Sequence, residues 1–270
     1  MTAPTRVLVL TSQRVGFGSY CLPALVASPR IEVAAVVYNE GIVRGSWKKR
    51  WRKLKKTVDI GLFGAVNGVR MRRWYDLSER LHLEPIDELA RRLGVRLETT
   101  PSLFDARTGE ICRSLGADVG LSLGNGYIPQ RVFSAPRRGT INVHHEMLPQ
   151  FQGAQSVLWQ LHAGSARTGF TIHEIDRHID TGRILHQEEV DIAFGATLEE
   201  TVRESYARLW EASRAALVRV VEDFDQFARH ARAQGPGRSY TTPGYWDFRR
   251  IERNHRDLRS RIPEAPAHGR

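Results

Sequence analysis

Little in the sequence ties the chain to a membrane, a metal or an oxidising compartment. Cysteine occurs only at Cys21 and Cys112 among 270 residues, which is no disulfide framework and no zinc ligand set. A reducing cytoplasm is the compartment this implies. No apolar run approaches the roughly 20 residues of a membrane-spanning helix. The start, Met1-Thr-Ala-Pro-Thr-Arg, runs at once into Val7-Leu-Val-Leu10, too short and strand-like for a secretory signal. The full dinucleotide fingerprint is missing as well. Gly16-x-Gly18 stands alone after the first apolar run, so these glycines are read as a turn and not as a phosphate cradle.

With 41% hydrophobic residues, the chain can bury a substantial core as a soluble globular protein. Its net charge of +10 is unevenly spread. From Arg44 to Arg80 there are twelve Lys or Arg against Asp59, Asp76 and Glu79, a local balance of +9. Such a concentration points to an acidic partner. Within it, Trp47, Trp51, Leu54 and Val58 recur at helical spacing, an apolar stripe with a cationic back. That stripe either packs on its own domain, meets an acidic membrane surface or RNA, or grips a phosphate-bearing acceptor. Gly61 to Arg70 continues it as a glycine-rich loop, a lid or a mobile surface segment.

Elsewhere strands and helices alternate. Arg6–Leu10 and Val33–Val37 read as buried strands joined by a helix over Ser19–Ala27, the pattern of a parallel sheet with a crossover helix. Helices are predicted over Pro85–Leu93 and Ala106–Leu115, each stopped by a glycine, and strands over Arg96–Thr99 and Val119–Leu123. The last of these runs into Gly124-Asn-Gly-Tyr-Ile-Pro129, a loop placed to line a pocket at a strand's carboxyl end. A helix over Ser156–Ala163 follows, then a strand over Ile184–Ile192 that reads as an antiparallel edge. A long helix spans Leu198–Phe224, with Thr197 as its N-cap. After Gln234-Gly-Pro-Gly the tail is aromatic and arginine-rich without a run of strands, and is read as a clasp packed on the domain or a small acceptor-binding extension.

Thr140–Val143 is a short β-branched strand that delivers Asn142 and His144 to one face. Thr171–Ile175 alternates like a second strand, and the Asp180-Thr-Gly182 turn after it can aim a carboxylate at the end of the first. An amide, an imidazole and a carboxylate meeting there would suit attack by an amine on a carbonyl carbon. Taken singly, each residue also has an ordinary role as turn cap or satisfied polar group.

The run Asn142-x-His144, Leu148-Pro149, Gly153, Gly169-x-Thr171 and Asp180-Thr-Gly182, clearest between Asp118 and Ile192, resembles the 10-formyltetrahydrofolate-dependent formyltransferases. That family includes methionyl-tRNA, glycinamide ribonucleotide and sugar-nucleotide N-formyltransferases. The resemblance implies an α/β, Rossmann-like fold, a mostly parallel sheet with helices on both faces. Residues 1–225 would form the catalytic domain, with the basic insertion at about 41–80, and 226–270 a short C-terminal extension. It implies Asn142, His144 and Asp180 as the catalytic trio. The pterin would be held by Gly126, Tyr127 and Ile128 and by the backbone of Arg177, His178 and Ile179. His145, Glu146, Gln152 and Gln155 would line the acceptor side. His144-His145-Glu146 replaces the family's common His-Pro-Ser, which alters what lies beside the acceptor amine.

The co-substrate implied is 10-formyltetrahydrofolate, with no metal. Ser12–Phe17 does not match the Gly-Ser-rich phosphate loop of the ribonucleotide enzymes, and the tail is short for the β-barrel of the tRNA enzymes. The expected acceptor is therefore a small-molecule amine, phosphate-bearing, with the amino sugar of a nucleotide-linked sugar first and another small-metabolite or amino-acid amine second. Nucleic acid is not expected as a partner, while a membrane surface at Trp47–Val58 and a homodimer stay open. The competing readings are hydrolysis of the same folate and a non-catalytic RNA- or membrane-binding module.

Overall fold

A seven-stranded sheet carries the fold in a computed structural model, which describes residues 3–41, 68–153 and 155–261. The helix expected at Trp47–Val58 and most of the basic insertion lie outside these residues. In chain order the elements are β1 (Thr5–Thr11), α1 (Phe17–Ala27), β2 (Ile31–Asn39), α2 (Ile86–Arg92), β3 (Leu97–Thr100), α3 (Ala106–Ser114), β4 (Val119–Ser122), α4 (Gln130–Phe133) and β5 (Thr140–His144). There follow β6 (Gln152–Gly153), α5 (Leu158–His162), β7 (Arg167–Glu174), β8 (Ile184–Asp191), α6 (Leu198–Glu222), α7 (Phe224–Arg229), β9 (Ser239–Tyr240) and α8 (Tyr245–Arg259).

The strands lie in the order β3-β2-β1-β4-β5-β7-β8. Pairing is parallel from β3 through β5 and antiparallel at β5–β7 and β7–β8. The apolar run Val7–Leu10 is fully buried because a parallel strand is covered on both faces. Val7 and Val9 join the apolar cluster under α1 and α6, whereas Leu8 and Leu10 join the cluster with Cys112, Val132 and Phe133 on the other face. The expected helices on both faces are thus present. The chain reverses direction across the sheet between β1 and β4, and a binding crevice opens beyond the strand ends at such a switch point.

The antiparallel edge strand and the long helix are where the sequence puts them. Thr197 Oγ1 accepts from Glu200 N–H at 3.1 Å while the Glu200 carboxylate accepts from Thr197 N–H at 3.1 Å, closing a capping box. That helix ends at Glu222, and α7 starts after a break at Asp223. The tail differs from expectation in two ways. Ser239–Tyr240 pairs with Gln152–Gly153 as a two-stranded ribbon, and Tyr245–Arg259 forms a helix of 15 residues. Its arginines mask an apolar stripe whose Phe248 and Ile251 are buried in the same cluster as the sheet and α6. No helix among the described residues is long and apolar enough to cross a membrane.

Candidate active site

The antiparallel register of β5 on β7 sets Asn142 opposite His173 and His144 opposite Thr171. Asn142, His144 and His173 therefore arrive together at one end of the sheet, lining a cavity of about 1280 Å³. Asp180 is brought to them by a tight turn after β7. The Asp176 carboxylate accepts from His178 N–H and from the Thr181 hydroxyl, both at 2.8 Å. Gly182 packs so near Glu174 that a Cβ would sit 1.9 Å from its carbonyl oxygen. Asp180 itself has φ +56, a left-handed conformation that Asp tolerates better than most residues.

The trio expected from sequence converges, though as a loose cluster. His144 Nδ1 lies 3.9 Å from Asp180 Oδ2, which is ion-pair range and too long for a hydrogen bond. His144 Nε2 lies 3.3 Å from the Phe151 carbonyl. A carbonyl only accepts, so Nε2 carries the hydrogen and Nδ1 presents a lone pair toward Asp180. Burial lowers the His144 pKa, the Asp180 charge and the Phe151 carbonyl opposing it in part, so the resting ring is neutral.

His173 is the member that sequence reasoning assigned no role. Its Nδ1 donates to the Glu174 carbonyl at 2.8 Å, which leaves Nε2 to accept from Asn142 Nδ2 at 3.2 Å. Asp180 Oδ1 is 3.8 Å from the same Nε2. Burial lowers this pKa too, with His144 adding to the effect. A neutral His173 therefore fixes the rotamer of Asn142, an amide whose remaining N–H can serve a developing oxyanion. The strand pattern around His173 was readable, but its pairing with Asn142 depends on a register that sequence spacing does not fix.

Gly126, Tyr127 and Ile128 after β4, and His178 and Ile179 before Asp180, line the cavity from two sides. Nothing lies within 4 Å of where a Gly126 Cβ would stand, so bare backbone faces the space there. Buried Ile128 and half-buried Ile175 give the slot apolar walls. A flat ring with polar edges, such as a reduced pterin, fits such a slot of backbone groups and aliphatic side chains. The Arg177 side chain is exposed and stands outside the lining.

On the acceptor side, His145, Glu146 and Gln155 line the cavity but Gln152 does not. Gln152 pairs with Ser239 through its backbone, and its side-chain oxygen accepts from Ser239 Oγ at 3.5 Å, so ribbon pairing removes it from the site. Buried Trp159 donates from Nε1 to the Thr241 carbonyl at 2.9 Å and is likewise outside the cavity. His145 donates to or accepts from Ser213 Oγ at 3.2 Å, and burial pushes its pKa down to about 3. Among the described residues no group of three or more His, Cys, Asp and Glu has the arrangement to hold a metal ion.

Comparison with known proteins bears on the family and the fold. The methionyl-tRNA formyltransferase of Thermosynechococcus vestitus is 31% identical over 177 residues, covering 65% of this chain and 52% of that protein. The chain thus spans about half the length of this curated relative. Glycinamide ribonucleotide transformylase 1 from Symbiobacterium toebii shares the fold with a TM-score of 0.55 and 18% identity, over 86% of this chain and 95% of that one. The N-formyltransferase from Helicobacter canadensis, solved in complex with folinic acid and dTDP-3-aminofucose, does so with a TM-score of 0.51 and 14% identity, over 90% and 72%. Residues 74–221 match the formyl transferase family, and on that match, over more than half of its length, the chain belongs to this family.

Proposed function

We propose that the protein transfers a formyl group from 10-formyltetrahydrofolate to the primary amine of a small-molecule acceptor. The observation that carries the reading is the convergence of Asn142, His144, His173 and Asp180 at one wall of a cavity large enough for two ligands. When bound, the folate supplies an amide-like carbonyl carbon as the electrophile. The loops 124–128 and 175–179 hold the pterin, and Asn142 donates its free N–H to the oxygen on which negative charge develops. His144 Nδ1 takes a proton from the attacking amine, and the imidazolium so formed is held by Asp180. His144 then returns that proton to the departing folate nitrogen.

For the acceptor we put first the amino sugar of a nucleotide-linked sugar. The Helicobacter canadensis enzyme, with dTDP-3-aminofucose, supports this order. Arg72, exposed in the cavity lining, is the cation we assign to the acceptor's phosphates. Arg14, in the turn after β1, is taken up by Asp87 and Glu88. The test is formyl transfer from 10-formyltetrahydrofolate to a panel of amino sugar nucleotides and simpler amines. Success only with another class of amine would remove the sugar and keep the chemistry.

A further inference from the structure

This inference rests on the transfer reaction above and concerns how the acceptor is held. Past His144 the cavity wall becomes aromatic, with Phe17, Tyr75, His145, Tyr206 and Trp210 all lining it. His145 meets Phe17 edge-on at 4.7 Å between ring centroids and stacks on Trp210 at 6.2 Å, and Tyr75 meets Tyr206 edge-on at 5.0 Å. Beside these rings the lining includes the Glu146 carboxyl group. Glu146 is 3% exposed, lines the cavity, and stands where the resembled family commonly has a serine.

Its neighbours are neutral. Gln160 Nε2 donates to its Oε2, and the neighbouring Ser156 hydroxyl donates to the His145 carbonyl. Tyr75 and Tyr206 line the same cavity, and burial, with the Glu146 charge adding to it, raises the pKa of both. Tyr75 spends its own proton on the Ser156 carbonyl at 2.8 Å. Among the described residues no Lys, Arg or His forms an ion pair with Glu146, and no charge contributes to its shift. Burial pushes this carboxyl up to about 8. A buried carboxyl in a ligand cavity, with aromatic walls and no paired cation among the described residues, lacks one partner that an ammonium would supply.

We propose that Glu146 is the ammonium subsite for the acceptor: its carboxylate pairs with the incoming R–NH3+ in the aromatic chamber and takes one proton from it, releasing the free amine toward the formyl carbon beside His144. An N–H bond of the ammonium breaks and the O–H bond of the Glu146 acid forms. The amine's second proton leaves through His144 as described above. Acid plus free amine, and carboxylate plus ammonium, hold the same number of protons. Binding an ammonium to the resting, protonated site therefore releases one proton to water. The acceptor this selects is a protonated primary amine on an apolar or flat-faced body.

The experiment loads the full chain with 5-formyltetrahydrofolate and titrates it calorimetrically with n-butylammonium chloride, in buffers of different ionisation enthalpy, with n-butanol as the uncharged counterpart. Wild-type protein should bind the ammonium at least tenfold more tightly than the alcohol and release about 0.9 proton at pH 7, falling toward zero by about pH 9. Glu146→Gln should lose the tenfold preference and the proton release while still binding the folate. Equal affinity for the two probes, or proton release unchanged in Glu146→Gln, overturns the proposal. The wild-type titration decides by itself should the variant not fold. Failure of wild type to bind 5-formyltetrahydrofolate would instead sink the transfer reading, and this proposal with it.

Discussion

Asp180 holds a left-handed backbone and a carboxylate 3.9 Å from His144, so the carboxylate acts by charge, within ion-pair range of the imidazolium that forms when the ring takes a proton. His144→Ala or Asp180→Asn should slow formyl transfer by about a hundredfold or more, with folate binding retained. The lowered His144 pKa adds a sign to this. The ring stays neutral below the usual 6.5, so the acid limb of kcat, read at saturating acceptor, should fall below pH 6.5, and a limb of kcat at or above that value would contradict a neutral resting base. Glu146 gives a stability test with the opposite sign. Its folded-state pKa of about 8 stands above the ordinary 4.5. The stability it contributes is present in full below pH 4.5 and lost as pH rises through 8. Glu146→Gln should thus melt above wild type by about 5 °C or more at pH 8.5 and lose that advantage by pH 4; a gap independent of pH would refute the buried acid.

At the scale of elements, the turn from Glu174 to Gly182 aims the carboxylate, and one close approach holds its shape. Gly182→Ala would set a Cβ 1.9 Å from the Glu174 carbonyl, so about 1–3 kcal/mol of stability should be lost. Transfer should drop at least tenfold, read by thermal melting and single-turnover rate. Full activity in that variant would show that the turn is not what positions Asp180. Most strands were legible because apolar and β-branched runs such as Thr5–Thr11 and Thr140–His144 carry their own signal. The capping residue Thr197 was equally plain. The helix Tyr245–Arg259 was not, because Arg249, Arg250, Arg253 and Arg256 surround the stripe Phe248, Ile251, His255 and Leu258. Nor was the partnership of Asn142 with His173, or the removal of Gln152 from the site, since each follows from a pairing between strands distant in sequence.

Across the whole molecule, the C-terminal segment and the sheet share one apolar cluster through Phe248 and Ile251. Burying two such side chains is worth roughly 1.5–3 kcal/mol each, a large share of a domain's marginal stability. A chain ending at Gly237 should therefore melt at least about 10 °C lower than the full chain or fail to refold; an unchanged melt would make the extension an independent appendage. The basic insertion accounts for nearly all of the net positive charge, +9 of +10, and among its described residues those from Gly68 on reach the cavity lining. The central claim is that this cavity moves a formyl group from a reduced folate to an amine. Mass spectrometry after incubating the full chain with 10-formyltetrahydrofolate and a panel of primary amines tests it most directly. One amine should gain the mass of a single formyl group, and Asn142, His144 and Asp180 variants should not support the gain. Formate release at the same rate with and without amine, or transfer undiminished in those three variants, would contradict it.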